Sequence, residues 1–328
     1  MAKIYNWGII GLGNIAHKFA EALTVVPNAR LHAVASRSLE KATSFGQQYN
    51  AGKYYGNYED ITHDPDVDAI YIATPHNLHY QNTIMCLNQD IPVLCEKPFA
   101  INAKEASGMI SLARSRNVFL MEAFWTRFFP DIKKVLELIN DGVIGKIRIV
   151  KADFGFKAEF NPSSRLFDLD LGGGSLLDVG IYPLFLSLLL LGKPSSIKAI
   201  SHIGRTGVDE NCGIIFDYSN GEMANLFSSI VTDTITQAEI FGETGSIRIH
   251  KKWFMPSPVT LIKDGKEEKY DFDFKGNGYN YEIEEVVKCL EEGKTESNLM
   301  PLNFSLDLME LVDHVKKECG IHYPSHDD

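Results

Sequence analysis

No run of apolar residues in this chain reaches the roughly 20 needed to cross a bilayer. The longest, Ile181 to Leu191, is broken by Ser187 and predicts a buried core helix. Basic residues never run beyond two in a row, and 32 of them stand against 43 acidic residues, for a net charge of -11. That balance excludes the positive face on which nucleic-acid binders rely, and it opposes docking on anionic lipid. Cysteine is scarce: Cys86, Cys95, Cys212, Cys289 and Cys319 make an odd set without a C-x-x-C pair. A disulfide framework is therefore excluded, and no Cys/His cluster has zinc-ligand spacing. Reduced thiols in a cytoplasmic protein without a structural metal are expected. The opening MAKIYNWGIIGLGNIAHKF loses its apolar run at His17-Lys18 and offers no small-residue cleavage site, so no signal peptide is expected. Low-complexity linkers and internal repeats are also missing.

What remains is an ordinary globular composition over 328 residues, enough for two domains at about 100–200 residues each. In the first third, short apolar strands alternate with helical periodicity. Strand patterns over 3–10, 29–36, 69–73, 92–96 and 119–123 enclose helices over 15–23, 39–49, 78–88 and 103–116. Strands without polar alternation, separated by helices, predict a doubly wound parallel sheet (a Rossmann domain, residues 1–123) covered on both faces. Its ligands belong at the carboxyl ends of the strands. After residue 123 the pattern changes. Helices over 130–141 and 175–191 accompany eight strand patterns between 147 and 272, several joined by turn signals such as Asn220-Gly221 and Asp264-Gly265. Helices over 281–292 and 302–318 close the chain. This predicts an α+β domain, residues 124–328, with a large, mainly antiparallel open sheet.

Gly11-Leu12-Gly13-Asn14-Ile15-Ala16 fits G-x-G-x-x-A between a strand and a helix. Gly11 permits the tight turn, Gly13 lets the backbone approach a pyrophosphate, and Ala16 keeps helix and strand close. The free N–H groups of the helix start, at Asn14 and Ile15, face the anion. NAD sites usually place a carboxylate at the end of the second strand. Here the stretch is Ala35-Ser36-Arg37-Ser38, with no carboxylate before Glu40. Ser36 can donate to a 2′-phosphate, and Arg37 can pair with it in fork geometry and stack on adenine. NADP is therefore expected in preference to NAD.

Cys95-Glu96-Lys97-Pro98 ends the strand over 92–96, which puts Lys97 at the carboxyl edge of the sheet. An ammonium there can hydrogen-bond a substrate hydroxyl. The glycine turn, Glu96-Lys97-Pro98 and the later Gly172-Gly173-Gly174-Ser175-Leu176-Leu177-Asp178-Val179-Gly180-Ile181-Tyr182 come in the order and spacing of the Gfo/Idh/MocA oxidoreductase family, which this chain resembles over nearly its whole length. The resemblance implies NAD(P)-linked oxidation of a secondary or hemiacetal alcohol on a sugar or cyclitol. It also implies a dimer or tetramer packed through the open sheet of the second domain.

Two departures from the family pattern narrow the reading. Many members carry His at the position of Tyr182. Asp178 and Tyr182 are four apart and share a face if their stretch is helical. Either Tyr182 exchanges the proton beside Lys97, or Lys97 is the base and Tyr182 positions substrate; Asp178 orients a hydroxyl or Lys97. Thr74-Pro75-His76-Asn77-Leu78-His79 is expected to wrap the cofactor, with His76 where relatives often have Asn, and Glu96 is grouped with it. Met121 to Pro130 is similar to the branch that holds trans-1,2-dihydrodiol dehydrogenases and NADP-linked D-xylose 1-dehydrogenases. Trp125 and Phe154 offer ring faces to a sugar or dihydrodiol, and Arg148, in the first strand of the second domain, is a further candidate. A non-catalytic dinucleotide-binding regulator or redox sensor is the competing reading. It needs only the Gly11–Ala16 turn and leaves Lys97, Asp178 and Tyr182 unexplained.

Overall fold

The computed structural model describes residues 3–327, which divide into two compact units. The first runs to Phe128 and resumes from Phe274 to Leu306; the second holds Phe129–Asp273 and the chain from Asp307.

The first unit is built from β1 (Tyr5–Ile10), α1 (Asn14–Leu23), β2 (Ala29–Ala35), α2 (Leu39–Gln48), β3 (Lys53–Tyr55), β4 (Ala69–Ile72), α3 (His79–Asn88), β5 (Val93–Glu96), α4 (Ala103–Arg116) and β6 (Leu120–Ala123). Its six strands are parallel in the order β3-β2-β1-β4-β5-β6. Strands β4, β5 and β6 are buried at every residue, as covering on both faces requires. Helix α1 buries Ala16, Phe19, Ala20 and Leu23, one stripe at helical spacing. Phe19 stacks on Tyr71 of β4 at 3.7 Å between ring centres. The helix starts are chemically marked: Ser38 accepts from Lys41 N ahead of α2, and Asn102 accepts from Glu105 N ahead of α4. The strand order reverses between β1 and β4, the switch point at which such sheets take ligands.

The second unit contains α5 (Pro130–Asn140), β7 (Ile147–Gly155), α6 (Ile181–Leu191), β8 (Ser196–Ile203), β9 (Asp209–Asp217), β10 (Met223–Ser229), β11 (Ala238–Gly242), β12 (Ser246–Ile249), β13 (Val259–Lys263) and β14 (Lys266–Tyr270). They form an eight-stranded sheet, β14-β13-β12-β11-β7-β10-β9-β8. Strands β7 and β10 pair in parallel, and every other neighbouring pair is antiparallel. One face is covered by α6, which packs on β7 and β10. Residues 169–191 are long and apolar enough to span a membrane, but they are mostly buried within the protein. The opposite face leaves Ile149, Ile200, Ile215, Met223, Phe227 and Phe241 exposed.

Two features differ from the pattern in the sequence. Strand β3 is three half-buried residues that pair with β2 alone, too short for a period of two to register. The second half is also not contiguous: α7 (Asn280–Glu291) and the first residues of α8 (Leu302–Cys319) belong to the first unit. Helix α7 packs on α1, and Asn277 Nδ2 donates to Lys18 O at 2.8 Å.

Asp131, in the first turn of α5, is fully buried. One carboxyl oxygen accepts from Ser257 N at 3.2 Å, and the other has no hydrogen-bond partner among the described residues. Burial pushes its pKa up to about 7. A folded-state pKa above the ordinary 3.8 makes its contribution to stability greatest at low pH and loses it as pH rises towards about 7. The melting temperature should therefore fall between pH 5 and pH 8, and Asp131→Asn should reduce that fall. Calorimetry at the two pH values checks this; an undiminished fall in the variant refutes it.

Candidate active site

In the first unit, β1 ends at Gly11 with φ +88°, and Gly11 N donates to Ala35 O at 3.2 Å. A Cβ at Gly11 would lie 2.8 Å from Ala73 C and Thr74 N. Only glycine lets the ends of β1 and β4 approach this closely. A Cβ at Gly13 would instead meet nothing within 4 Å. Gly13 is the N-cap of α1, which has neither a side-chain cap nor an acid in its first turn. Asn14 is exposed, Ile15 half-buried and Ala16 fully buried. The helix start thus presents backbone donors to open space without a competing anion, which fits the pyrophosphate of a dinucleotide.

Beyond β2, Ser36 is buried and its Oγ accepts from Ser38 N at 3.3 Å. Arg37 is exposed and hydrogen-bonds Tyr58. A cavity of about 340 Å³ opens between α1 and α2, lined among others by Leu12, Ser38, Glu40 and Lys41. The carboxylate at Glu40 therefore lies in the wall of the cavity, one turn past the end of β2.

Beyond β4, Asn82 Nδ2 donates to Thr74 Oγ1 at 3.2 Å, and Pro75 precedes a short 3-10 turn over His76–Leu78. His76 is buried with its ring edge on His79, and Asn77 Oδ1 is a buried acceptor without a protein partner. His79 is placed differently from expectation. It is fully buried, with Nδ1 2.8 Å from Pro98 O and Nε2 3.0 Å from Thr74 O. Burial drives its pKa down to about 4, and the neutral ring donates to one of the two carbonyls. His79 ties the ends of β4 and β5 together, so the expected direct ligand contact gives way to a supporting role.

Lys97 follows β5 and is half-buried. The backbone around it, including the cis Lys97-Pro98 bond, is held by side chains from below. Glu96 accepts from Lys97 N at 3.2 Å and from Tyr71 OH. His79 faces Pro98 O, and Glu122 accepts from Phe99 N at 3.1 Å. Burial pushes Glu122 up to about 7, and burial together with the charge of Glu96 holds Glu282 of α7 well above the ordinary carboxyl range. Trp125 packs on Tyr279, 4.7 Å between ring centres, within the same unit.

In the second unit, residues 176–180 form a π-helical turn before α6, where the sequence pattern had predicted one regular helix. Such wide turns recur at functional sites. This turn carries Asp178, nearly buried and paired with Arg165 Nη1 at 2.6 Å, and α6 carries Tyr182, also nearly buried. Phe154 stacks on Phe254 at 3.8 Å, and both lie against Tyr182 at 5.4 and 5.6 Å between ring centres. Trp253 meets Tyr182 edge-on and donates Nε1–H to Asp153 O. Arg148 does not join this group: it is exposed near the start of β7 and paired at 2.5 Å with Glu243, which directly follows the neighbouring strand β11. Sequence reasoning missed Arg165, Phe254 and Tyr279. Arg165 stands seven residues before the glycine run and Phe254 in an isolated Trp-Phe pair, with no periodicity to flag either.

The chain matches the family model described as "Oxidoreductase family, NAD-binding Rossmann fold" over residues 5–124, and the "GFO/IDH/MocA C-terminal domain" over 132–248. It is 38% identical to trans-1,2-dihydrobenzene-1,2-diol dehydrogenase of Xenopus tropicalis, covering 97% of this chain and 99% of that protein. It is 33% identical to the human protein of the same name, covering 97% and 98%. Among solved structures, the 3-ketoreductase KijD10 of Actinomadura kijaniata, in complex with NADP and TDP-benzene, aligns at TM-score 0.88 with 25% identity over 97% and 98% of the two chains. The aldose-aldose oxidoreductase of Caulobacter crescentus shares the fold at TM-score 0.90 with 23% identity, again over 97% and 98%. Glycine turn, Lys97 turn and Gly172–Tyr182 segment together with these matches lead to one conclusion: the chain belongs to the Gfo/Idh/MocA oxidoreductase family.

Proposed function

We propose that the protein is an NADP-linked dehydrogenase acting on a carbinol of a sugar, polyol or cyclic diol. The observation that carries this reading is Lys97, an amine on a clamped turn at the ligand edge of the dinucleotide sheet. A regulator that only binds a dinucleotide has no use for that clamp. Bound nicotinamide would supply the acceptor for hydride leaving the carbinol carbon. Either Lys97 Nζ or Tyr182 OH takes the hydroxyl proton, and the other orients the hydroxyl. Asp178, fixed by Arg165, orients the polar side of the substrate. The Phe154–Phe254 stack gives Tyr182 an apolar flank that suits a planar or puckered carbocycle. The name shared by the curated relatives supports the cyclic-diol end of the range. The five free thiols support a reducing, cytoplasmic setting.

NADP is favoured because Ser36 and Arg37 stand where a ribose-binding carboxylate would repel a phosphate, and KijD10 was solved with NADP. A charge-assisted bond is worth about 1.5–3 kcal/mol. Arg37→Ala should raise the apparent NADP constant roughly tenfold or more and leave NAD nearly unaffected. Steady-state kinetics with both cofactors checks this, and equal effects on the two would refute it.

Lys97→Met keeps much of the stem volume and removes the proton path. Turnover on the best substrate of a panel of aldoses, polyols and dihydrodiols should fall by at least about 100-fold while NADP still binds. Tyr182→Phe should lower kcat if its hydroxyl moves the proton, and raise KM if it only orients substrate. Near-normal turnover in Lys97→Met would sink the mechanism.

The open face of the second unit supports a homodimer, with a tetramer as its extension. Across the strands, Ile200, Gly213 and Phe227 lie in one row and Met223, Ile149 and Phe241 in another. These rows make a patch of exposed apolar side chains that a monomer would leave in water. Phe227→Asp together with Ile215→Asp, both at exposed positions, should give a monomeric mass by light scattering at micromolar concentration, against a dimer or larger for the parent chain. A monomeric parent would overturn the assembly.

A further inference from the structure

Asp209, the first residue of β9, is a carboxyl group that the reaction as described does not use. It is completely buried, and no cation pairs with it among the described residues. One oxygen, Oδ2, accepts from both Ser175 Oγ and Leu176 N, each at 2.7 Å. Ser175 Oγ also lies 3.0 Å from Ser228 Oγ of β10. The other oxygen, Oδ1, has no hydrogen-bond partner among the described residues. It occupies the place where a side chain on Gly174 would go, since a Cβ there would come within 2.2 Å of it, and Gly174 has φ +117°. Tyr323 OH completes the grip by donating to Gly173 O at 2.7 Å.

Leaving a carboxyl without solvent or counter-ion costs stability, and burial pushes its pKa up to about 7. A serine or asparagine would cap a helix start at lower cost. The arrangement gains rigidity in one place, the turn immediately before Asp178 and Tyr182. Glycine at 174 and the carboxyl at 209 are complementary: one must lack a side chain so that the other can reach the amide of Leu176.

We infer that Asp209 is a positioning residue for the reaction, whose carboxyl group fixes Asp178 and Tyr182 by capping the first turn of the helical segment that carries them. It touches no reacting atom and acts through Ser175 and Leu176. This inference rests on the dehydrogenase reading for its kinetic consequence, but its structural consequence can be measured without any substrate.

Asp209→Ala removes the oxygen that accepts from both Ser175 Oγ and Leu176 N. Two measurements test it. Amide hydrogen exchange should speed up about tenfold or more across residues 175–182, with the glycine turn at 11–16 unchanged. The kcat per NADPH-binding site should fall about tenfold or more, with the NADPH dissociation constant within about twofold of the parent. Unchanged exchange over 175–182, or a kcat per binding site equal to the parent, would overturn the inference. If Asp209→Ala does not fold, Ser175→Ala removes one of the two donors and should show the same pattern at about threefold or more; parent-like exchange and kcat in Ser175→Ala overturn it equally. A parent enzyme that turns over no substrate in the panel defeats the dehydrogenase reading, while faster exchange in the variant still upholds the anchor.

Discussion

The functional segments of both units depend on buried polar side chains that bond to main chain. Loops at the ends of strands are the part of such folds most free to move, yet an oxidoreductase needs its proton-handling groups held still. Here Glu96, His79 and Glu122 bond the backbone of residues 97–99 from beneath. In the second unit Asp209 and Tyr323 do the same for residues 173–176. Apart from Glu96, which ends the strand leading into the Lys97 turn, each anchor comes from a different element than the turn it holds, so the turn inherits the rigidity of the structure behind it.

This construction has an electrostatic consequence. Carboxyl groups placed under a turn to accept from amides are cut off from water, and burial raises Glu122 and Asp209 to about 7. Glu282 is held well above the ordinary carboxyl range by burial and the like charge of Glu96, and neither of its carboxyl oxygens has a hydrogen-bond partner among the described residues. At the Lys97 turn, burial and like charge therefore shift Glu122 and Glu282 towards their neutral forms. Asp64 shows the contrast. It too is buried, but Lys53, Tyr55 and His32 bond its carboxylate and draw its pKa below the usual value.

Much of this was legible in the residues. The parallel sheet was readable because strands covered on both faces carry apolar side chains at consecutive positions, as in Ala69 to Ile72. The glycine turn was readable because its positions have separate steric duties: Gly11 could not carry a side chain and Ala16 had to stay small. The antiparallel half announced itself through turn residues, and Glu96-Lys97-Pro98 and Gly172–Tyr182 carried the family resemblance.

Other features were decided only when distant segments met. Periodicity shows that α7 has an apolar stripe, but the stripe fits any core, and packing on α1 settled that it joins the first unit. His79 and Arg148 are polar residues near motif positions. Burial turned one inward to face two carbonyls and donate to one of them, and Glu243 pairs with the other near the start of β7. Arg165, Phe254 and Asp209 lie 13, 72 and 27 positions from the residues they contact or support, taken as Asp178, Tyr182 and Tyr182. The sequence by itself determined most of the elements, the glycine turn and the candidate reactive side chains, because those rest on local sterics and short spacing. Which polar groups support the reactive ones was decided by tertiary structure, because a hydrogen bond depends on where two atoms meet and leaves no period along the chain.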